Sequence, residues 1–258
     1  MTLIKKQLNL FYLALSFFTR IPIPANTAYS SELLNQSGRY FSLVGLLVGV
    51  VAASSYYASQ WVFSDSVAII ISMIISLLLT GAFHEDGLAD MADGIGGGMT
   101  PEKRLLIMKD SRIGTYGAAS LVLVLLFKYV LLSDLAVNNL SFFCFSLLLA
   151  HGLSRSVAAS LIFDMPYVSD IDTSKSKPLA NRQTVLELAM LLAIGCLPLL
   201  YFSITLALWL LPMLLLFRYL FKQWLMKRIG GFTGDCLGAT QQISEIIIYL
   251  MILAVAVN

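Results

Sequence analysis

Long apolar runs alternate with short polar breaks along almost the whole chain. A helix needs about 20 apolar residues to span a bilayer, because only a helix satisfies its own backbone polar groups inside hydrocarbon. Seven segments approach this length and predict an all-α, polytopic membrane helix bundle with about seven transmembrane helices. They are residues 41–63, 67–83, 114–133, 140–163, 185–201, 204–221 and 237–257.

Polar residues mark where these predicted helices turn. The short breaks after the first and third segments predict two helical hairpins. Segments 185–201 and 204–221 are nearly continuous, and we divide them near Ser203 because one helix of that length would overshoot the bilayer. Residues 3–18 are apolar but short and stop before a proline pair, which predicts an N-terminal interfacial helix or, alternatively, a re-entrant segment.

Lys and Arg are concentrated in alternate connections. They precede the first segment and follow the second, fourth and sixth, whereas the other connections contain none. The positive-inside rule therefore places the N-terminus and the polar loops at about 84–113, 164–184 and 222–236 in the cytoplasm, and the C-terminus outside. We expect a multi-pass protein of the cytoplasmic (inner) membrane, in which these three loops form the active site.

Composition narrows the class of protein further. The 258 residues are 58% hydrophobic and 12% charged, with a mean hydropathy of +0.82, which indicates one integral membrane domain over residues 1–258. The net charge of +2, without a basic tract, argues against a nucleic-acid partner. The three cysteines form no CxxC pair, so we predict neither a disulfide nor a zinc site.

A run of acidic residues follows the second predicted span. At about 100° per residue, Asp86, Asp90 and Asp93 fall within a narrow arc of one helical face, and Glu85 is beside them. Carboxylates so arranged need a cation between them, and oxygen ligands favour Mg²⁺, with Mn²⁺ as a substitute. We predict these four residues as metal ligands; the alternative is a solvated acidic loop that caps the next helix.

Glycines and basic residues come next along the chain. Glycines such as Gly96 and Gly97 let backbone amides approach a phosphate, and Lys109 and Arg112 supply counter-charge, which together predict a diphosphate site. The alternative is a flexible hinge followed by positive-inside residues. Asp110 is a candidate for completing the metal sphere or for acting as a base.

A second glycine-rich turn, residues 230–239, is predicted to face the same compartment and to contribute Asp235.

Ionisable residues also lie inside the predicted spans. Glu245 lies inside the last span, where an ionisable group is by default functional or paired. His151 and Arg155 are one helical turn apart and face either a bundle cavity or each other, with Arg155 then snorkelling to the surface. A metal and a diphosphate at a membrane surface indicate phosphoryl or nucleotidyl transfer.

The chain resembles the cobalamin synthase family, the adenosylcobinamide-GDP ribazoletransferases. The resemblance rests on four motifs: FFTRIPIP at 17–24, HEDGLADMADG at 84–94, MKDSRIGTYG at 108–117 and GFTGDCLGA at 231–239. It implies a Mg²⁺-dependent transferase that joins adenosylcobinamide-GDP to α-ribazole or α-ribazole 5′-phosphate. The products would be GMP and adenosylcobalamin or its 5′-phosphate, in the last assembly step of the cobalamin nucleotide loop.

The matching motifs also imply roles for individual residues. The catalytic set would be Asp86, Asp90, Asp93, Asp110 and Asp235, with Asp110 or Asp235 as the base. The substrate-binding set would be His84, Gly96, Gly97, Lys109, Ser111, Arg112, Thr233 and Gly234. Association with other cobalamin-assembly enzymes, and a homo-oligomer, are left open.

Two alternatives compete with this hypothesis. The residues from Asp90 to Gly94 also resemble the start of the CDP-alcohol phosphotransferase signature, but the rest of that signature is missing, since Gly96 and Gly97 follow and Asp110 stands alone. A secondary transporter would place its acidic site near the bilayer midplane. Here the acids gather at the predicted cytoplasmic ends of the spans, which favours an enzyme.

Overall fold

The apolar runs form helices wherever the sequence predicts a span. The computed structural model describes residues 3–169 and 182–257, and within them the chain is helical with no β-strand. The α-helices of these residues are α1 Leu3–Phe18, α2 Ser31–Ser37, α3 Phe41–Ser59, α4 Asp65–Thr80, α5 Phe83–Gly97, α6 Pro101–Met108, α7 Thr115–Ala136, α8 Leu140–Ser160, α9 Val185–Cys196, α10 Ile204–Ile229 and α11 Gly234–Ile252.

Five helical stretches of the described residues are long and apolar enough to cross a membrane. They are Ser31–Ser59, Thr115–Ala136, Leu140–Phe163, Ile204–Ile229 and Gly234–Val255. Helices α4 and α5 add a sixth if the bent pair is counted as one broken span, and Val185–Tyr201 is apolar but shorter. The prediction of an all-α, multi-pass membrane protein is confirmed, and each of the seven predicted segments is largely helical.

The division near Ser203 is also confirmed. A 3-10 turn that contains Pro198 ends at Tyr201, and α10 begins two residues after Phe202. The Ser203 hydroxyl caps α10 by accepting a hydrogen bond from the Leu206 amide at 3.3 Å. The split therefore has a local cause, because proline disrupts the first helix and a serine cap starts the second.

Helix α1 packs one face against the bundle. Leu10, Ala14 and Phe18 are buried, whereas Leu3 and Ile4 at the other end are exposed. The Asn9 side chain pairs with the backbone of Ala28 through two hydrogen bonds of 2.8 and 2.9 Å, which fix the following loop beside the helix. The aromatic end of α1 therefore reaches the interior of the protein.

Small residues bring α3 and α8 together in the centre of the bundle. Gly45 and Gly49 lie four residues apart on α3, and the backbone of α8 at His151 and Leu148 occupies the space that their side chains would fill. The Ser42 and Ser156 hydroxyls bond across this contact at 2.7 Å. This is the close helix packing that small residues allow inside a membrane.

A sharp bend separates α4 from α5. Gly81 and Ala82 both have left-handed backbone angles, with φ of 65° and 56°, and the two helix axes differ by 84°. Ala82 adopts this conformation at a cost of roughly 1–2 kcal/mol, because its Cβ crowds the following carbonyl. The bend directs the acidic helix across the end of the bundle instead of continuing along α4.

The three polar segments differ from the predicted loops. Residues 84–113 are mostly helix, and α5 packs into the protein through its buried Leu88 and Met91 instead of remaining a solvated acidic loop. Helix α10 continues to Ile229, so only a short turn remains before α11. Of the predicted loop 164–184, residues 170–181 lie outside the described residues.

Candidate active site

A cavity lies at one end of the bundle, where α5 crosses the start of α11. Its wall combines charged residues from α5, from α11 and from the C-cap of α6 with aromatic residues from α1, α3 and α5. The predicted site residues that line it are His84, Asp86, Asp90, Lys109, Thr233, Gly234 and Asp235. The second and fourth motifs, 147 residues apart at Asp86 and Thr233, thus line the same cavity.

Two glycines allow this meeting. A Cβ on Gly87 would stand 3.0 Å from the Asp235 Cα, and a Cβ on Gly238 would stand 3.0 Å from the His84 carbonyl oxygen. Helices α5 and α11 therefore touch through their backbones. This contact sets the separation between the α5 carboxylates, Asp86 and Asp90, and Asp235 in the first turn of α11.

The start of α11 is fixed by its own cap. The Thr233 hydroxyl accepts a hydrogen bond from the Cys236 amide at 3.3 Å and lies 3.3 Å from an Asp235 carboxylate oxygen. Before it, Phe232 bonds through its backbone to Pro166 and Val168 at 2.9 and 3.0 Å, which ties this turn to the segment that follows α8. The turn is therefore held in place by hydrogen bonds of the protein itself.

Asp93 has a different environment from the other two aspartates of its helix face. Its two carboxylate oxygens accept hydrogen bonds from the amides of Gly114 and Gly117 at 2.7 and 2.8 Å. A carboxylate at a helix N-terminus is stabilised by the free amides and the helix dipole. Asp93 therefore caps α7 and anchors α5 to it, and it is not among the residues that line the cavity.

Glu85 points into a polar network in the bundle interior. Gln242 donates a hydrogen bond to Glu85 at 2.9 Å and accepts one from the Lys128 ammonium at 3.1 Å. Lys128 also pairs with Glu245 at 3.2 Å, and Gln241 and Tyr249 donate to Glu245 at 2.7 and 3.2 Å. The prediction that the intramembrane Glu245 is functional or paired is confirmed, since it has several partners.

The predicted snorkelling of Arg155 is wrong. Its side chain is buried and donates a hydrogen bond to the His151 carbonyl at 2.8 Å, while its guanidinium lies 5.8 Å from the centre of the Phe41 ring. Burial is favoured because Glu245 lies nearby on α11, and His151 Nε2 is 3.9 Å from that carboxylate. The pair faces the bundle interior, as in the first alternative, and the intrahelical contact of the second alternative is also present, since Arg155 Nη1 lies 3.3 Å from His151 Nδ1.

The remaining predicted residues lie outside the cavity wall formed by the described residues. Gly96 and Gly97 belong to the last turn of α5, and Gly96 packs against the Tyr116 ring. Asp110 forms an exposed ion pair with Arg112 at 2.6 Å, and Ser111 between them is exposed. The expected glycine-rich phosphate loop is therefore a helix end whose glycines serve close packing.

The cavity carboxylates are the type of oxygen donor that magnesium binds. Among the described residues no three His, Cys, Asp or Glu side chains form a ready-made metal site, so the four predicted ligands are not assembled as one cluster. Mg²⁺ in phosphate-handling enzymes usually uses one or two carboxylates, with water and substrate phosphate completing its octahedron. Asp86, Asp90 and Asp235 are donors of this kind in the cavity lining, and the cation Lys109 lines the same cavity.

The sequence analysis missed the aromatic part of the wall. Phe17, Phe18, Phe41 and Phe83 line the cavity together with Tyr167 and Phe232. Two of these residues lie in the FFTRIPIP motif, to which no chemical role was assigned. That motif ends a helix beside the acidic segment, and this contact could not be derived from spacing along the chain.

Comparison with known proteins agrees with this combination of helices and motifs. The family model for cobalamin-5-phosphate synthase (CobS) matches residues 10–253. An adenosylcobinamide-GDP ribazoletransferase from Vibrio parahaemolyticus is 57% identical over 97% of this chain and 94% of its own length. Proteins of the same name from Vibrio cholerae and Shewanella halifaxensis are 56% and 53% identical, over 98% and 100% of this chain and 96% and 100% of their own lengths. No solved structure matches the chain.

Proposed function

The chain belongs to the cobalamin-5-phosphate synthase family of membrane transferases, and we propose that its cavity joins α-ribazole, or its 5′-phosphate, to adenosylcobinamide-GDP with the help of Mg²⁺. The observation that supports this site is the meeting of the family-matched acidic helix and the α11 turn around one cavity. The cavity contains carboxylates, a lysine and an apolar wall, as a diphosphate and a nucleoside require.

The chemical step is a displacement at phosphorus. A ribose hydroxyl of the α-ribazole attacks the phosphorus attached to cobinamide, a new P–O bond forms, and the diphosphate P–O bond breaks so that GMP leaves with the electron pair. The attacking hydroxyl is not the 5′ one, because that position is occupied in the phosphorylated substrate. The product is a phosphodiester between cobinamide and ribazole.

The chain's own residues bind and orient these groups. Lys109 offers a positive charge to the diphosphate, and Asp86 and Asp90 would hold Mg²⁺, which neutralises charge on the phosphate oxygens when it is bound. Asp235 is placed to take the hydroxyl proton, since it lines the same cavity and its backbone packs against Gly87 of the acidic helix. Asp110, the other candidate base, is paired with Arg112 outside the wall.

We also propose that the site faces the cytoplasmic side of the membrane. The cavity is built from the ends of helices that carry most of the Lys and Arg, so the positive-inside rule assigns it, and the N-terminus, to the cytoplasm of an inner membrane. The C-terminus would then be outside. Soluble substrates and neighbouring enzymes of cobalamin assembly would reach the site from the cytoplasm.

The test is GMP release by the purified protein in detergent, given both substrates with Mg²⁺ or with EDTA. We expect release that requires both substrates and stops in EDTA, and Asp90→Asn should lower kcat by a hundredfold or more, a loss typical of removing a group that stabilises the transition state (roughly 10²–10³). Asp134→Asn, an exposed aspartate at the far end of α7, is the matched control. Full activity of Asp90→Asn would refute the metal assignment.

A second pair of variants separates the candidate bases. Asp235→Asn should abolish most activity and flatten the acidic limb of the pH profile of kcat, whereas Asp110→Asn should retain activity because its carboxylate faces Arg112. The opposite result would assign the proton transfer to Asp110. Failure of the folded, metal-replete wild type to release GMP would reject the function, and CDP-linked lipid donors would be tested next.

A further inference from the structure

The cavity has two chemically different walls. Asp86, Asp90, Lys109 and Asp235 form the charged wall, which the proposed diphosphate chemistry uses. The other part of the lining consists of aromatic rings from the end of α1, the start of α3 and the start of α5, which we call the aromatic wall. The proposed displacement at phosphorus involves none of these aromatic residues, although the FFTRIPIP motif, which lies within the family match, contributes two of them.

The rings of this wall form an ordered surface. Phe18 and Phe41 stack at 3.8 Å with an angle of 14° between their planes, and the His84 imidazole lies nearly parallel to Phe41 at 5.7 Å and 11°. Phe17 and Phe83 meet edge to face at 5.5 Å, and both remain half-buried. The first three residues are buried, so packing fixes them, while Phe17 and Phe83 keep ring surface available.

One polar atom in this aromatic surface lacks a partner. The His84 side chain lines the cavity and is 2% exposed, and its Nε2 finds no hydrogen-bond partner among the described residues. A buried polar atom left unpaired costs free energy, so a ligand that bonds to it gains affinity. A neutral imidazole can donate one hydrogen bond from this nitrogen.

The bases of the two substrates differ in the hydrogen bonds that they can form with such a wall. Guanine carries several hydrogen-bonding groups on its edge, and a site that recognises it must offer matching polar partners. The dimethylbenzimidazole of α-ribazole is flat and apolar, with two methyl groups and a single free ring nitrogen that accepts a hydrogen bond. An aromatic wall with one unpaired imidazole nitrogen matches the second base.

We infer that Phe17, Phe18, Phe41 and Phe83 form the subsite for the benzimidazole base, and that His84 Nε2 bonds to its free ring nitrogen. This inference rests on the proposed ribazole transfer and adds to it the residues that select the nucleophile. It also predicts discrimination: nucleosides whose base lacks the acceptor nitrogen should bind less well, because His84 Nε2 would stay unpaired.

The first test measures KM for each substrate separately. Phe17→Leu and Phe83→Leu should raise KM for α-ribazole roughly tenfold, the loss expected for a base that stacks on an aromatic ring. In the same variants KM for adenosylcobinamide-GDP should stay within about twofold of wild type. Phe142→Leu is the matched control, because Phe142 is half-buried and packs edge to face on Phe202 at 5.4 Å, at the other end of the bundle.

The second test uses His84→Phe, which keeps an aromatic ring and removes the nitrogen. The wild type should prefer α-ribazole to the matching indole nucleoside, which lacks the acceptor, by roughly tenfold or more, whereas the variant should accept both equally. A merely structural role for His84 would lower activity without removing this preference. Equal use of both nucleosides by the wild type would overturn the hydrogen bond.

The outcomes separate the subsite from the reaction. A wild type that releases no GMP rejects the proposed function, and the subsite with it. A wild type that releases GMP, with variants whose KM for α-ribazole is unchanged, overturns the subsite alone. A raised KM for adenosylcobinamide-GDP in Phe17→Leu and Phe83→Leu also overturns it, because the wall would then face the other substrate.

Discussion

Removing Lys128 should destabilise the bundle strongly, because it would leave Glu245 as a buried charge without its lysine. The two side chains are 8% and 1% exposed and their charged atoms are 3.2 Å apart. Breaking a buried ion pair by deleting one partner costs about 3–5 kcal/mol, much more than the pair contributes when both partners are replaced. Hydrogen bonds from Gln241 and Tyr249 remain in Lys128→Met and favour the lower end of this range.

The assay is thermal unfolding of the detergent-solubilised protein. At about 2–4 °C per kcal/mol for a chain of this size, Lys128→Met should lower Tm by roughly 6–20 °C. The double variant Lys128→Met with Glu245→Gln removes both charges and should recover most of this loss. Asp134→Asn, the exposed acid at the far end of α7, is the control and should leave Tm unchanged. A Lys128→Met variant as stable as wild type, or a double variant that loses the sum of the two single effects, would refute the reasoning.

Three other substitutions test how the site is held. Asp93→Asn should destabilise the protein by about 1–3 kcal/mol, seen as a lower Tm, because an amide cannot accept hydrogen bonds from both amides at the start of α7. Gly87→Ala should abolish most GMP release while the protein remains folded by circular dichroism, since its Cβ would push against Asp235 and separate α5 from α11. Burial raises the pKa of Asp164, but hydrogen bonds from Lys222 and Arg218 outweigh it and lower the pKa overall. Its stabilising effect is therefore present above the normal carboxyl pKa and is lost as pH falls through the lowered one, so Asp164→Asn should reduce Tm at neutral pH and not in strong acid.

The sequence predicted the spans well because bilayer length and backbone hydrogen bonding leave few alternatives. The helix start at Ser203 followed from length alone, and the structure supplies a proline and a serine cap as the local cause. The span predicted to end at residue 83 stops at Thr80 instead. Hydropathy does not report the left-handed conformations of Gly81 and Ala82, which end the helix and turn the chain.

The role of each acidic residue was less predictable than the helix that carries it. Helical angles put Asp93 on the same face as Asp86 and Asp90, yet Asp93 caps a helix that begins more than 20 residues later. The alternative in which Arg155 reaches water stayed open because a single sequence does not reveal Glu245 as its neighbour in space. Periodicity gives the direction of a side chain on its helix, whereas its partner depends on tertiary contacts.

These contacts bear on the proposed metal site, because they position the helix that carries Asp86 and Asp90. Helix α5 is positioned at three places: the bend at Gly81 and Ala82, the backbone contact between Gly87 and Gly238, and the cap that Asp93 makes on α7. Because those anchors and the buried network below them hold α5 through protein contacts, a closed ligand cage is not what gives the site its shape. An open pair of carboxylates leaves coordination positions for substrate phosphate, which is the arrangement that Mg²⁺ favours in phosphate transfer. Affinity for the metal should therefore rise when adenosylcobinamide-GDP binds, and by linkage the nucleotide should bind more tightly in Mg²⁺ than in EDTA.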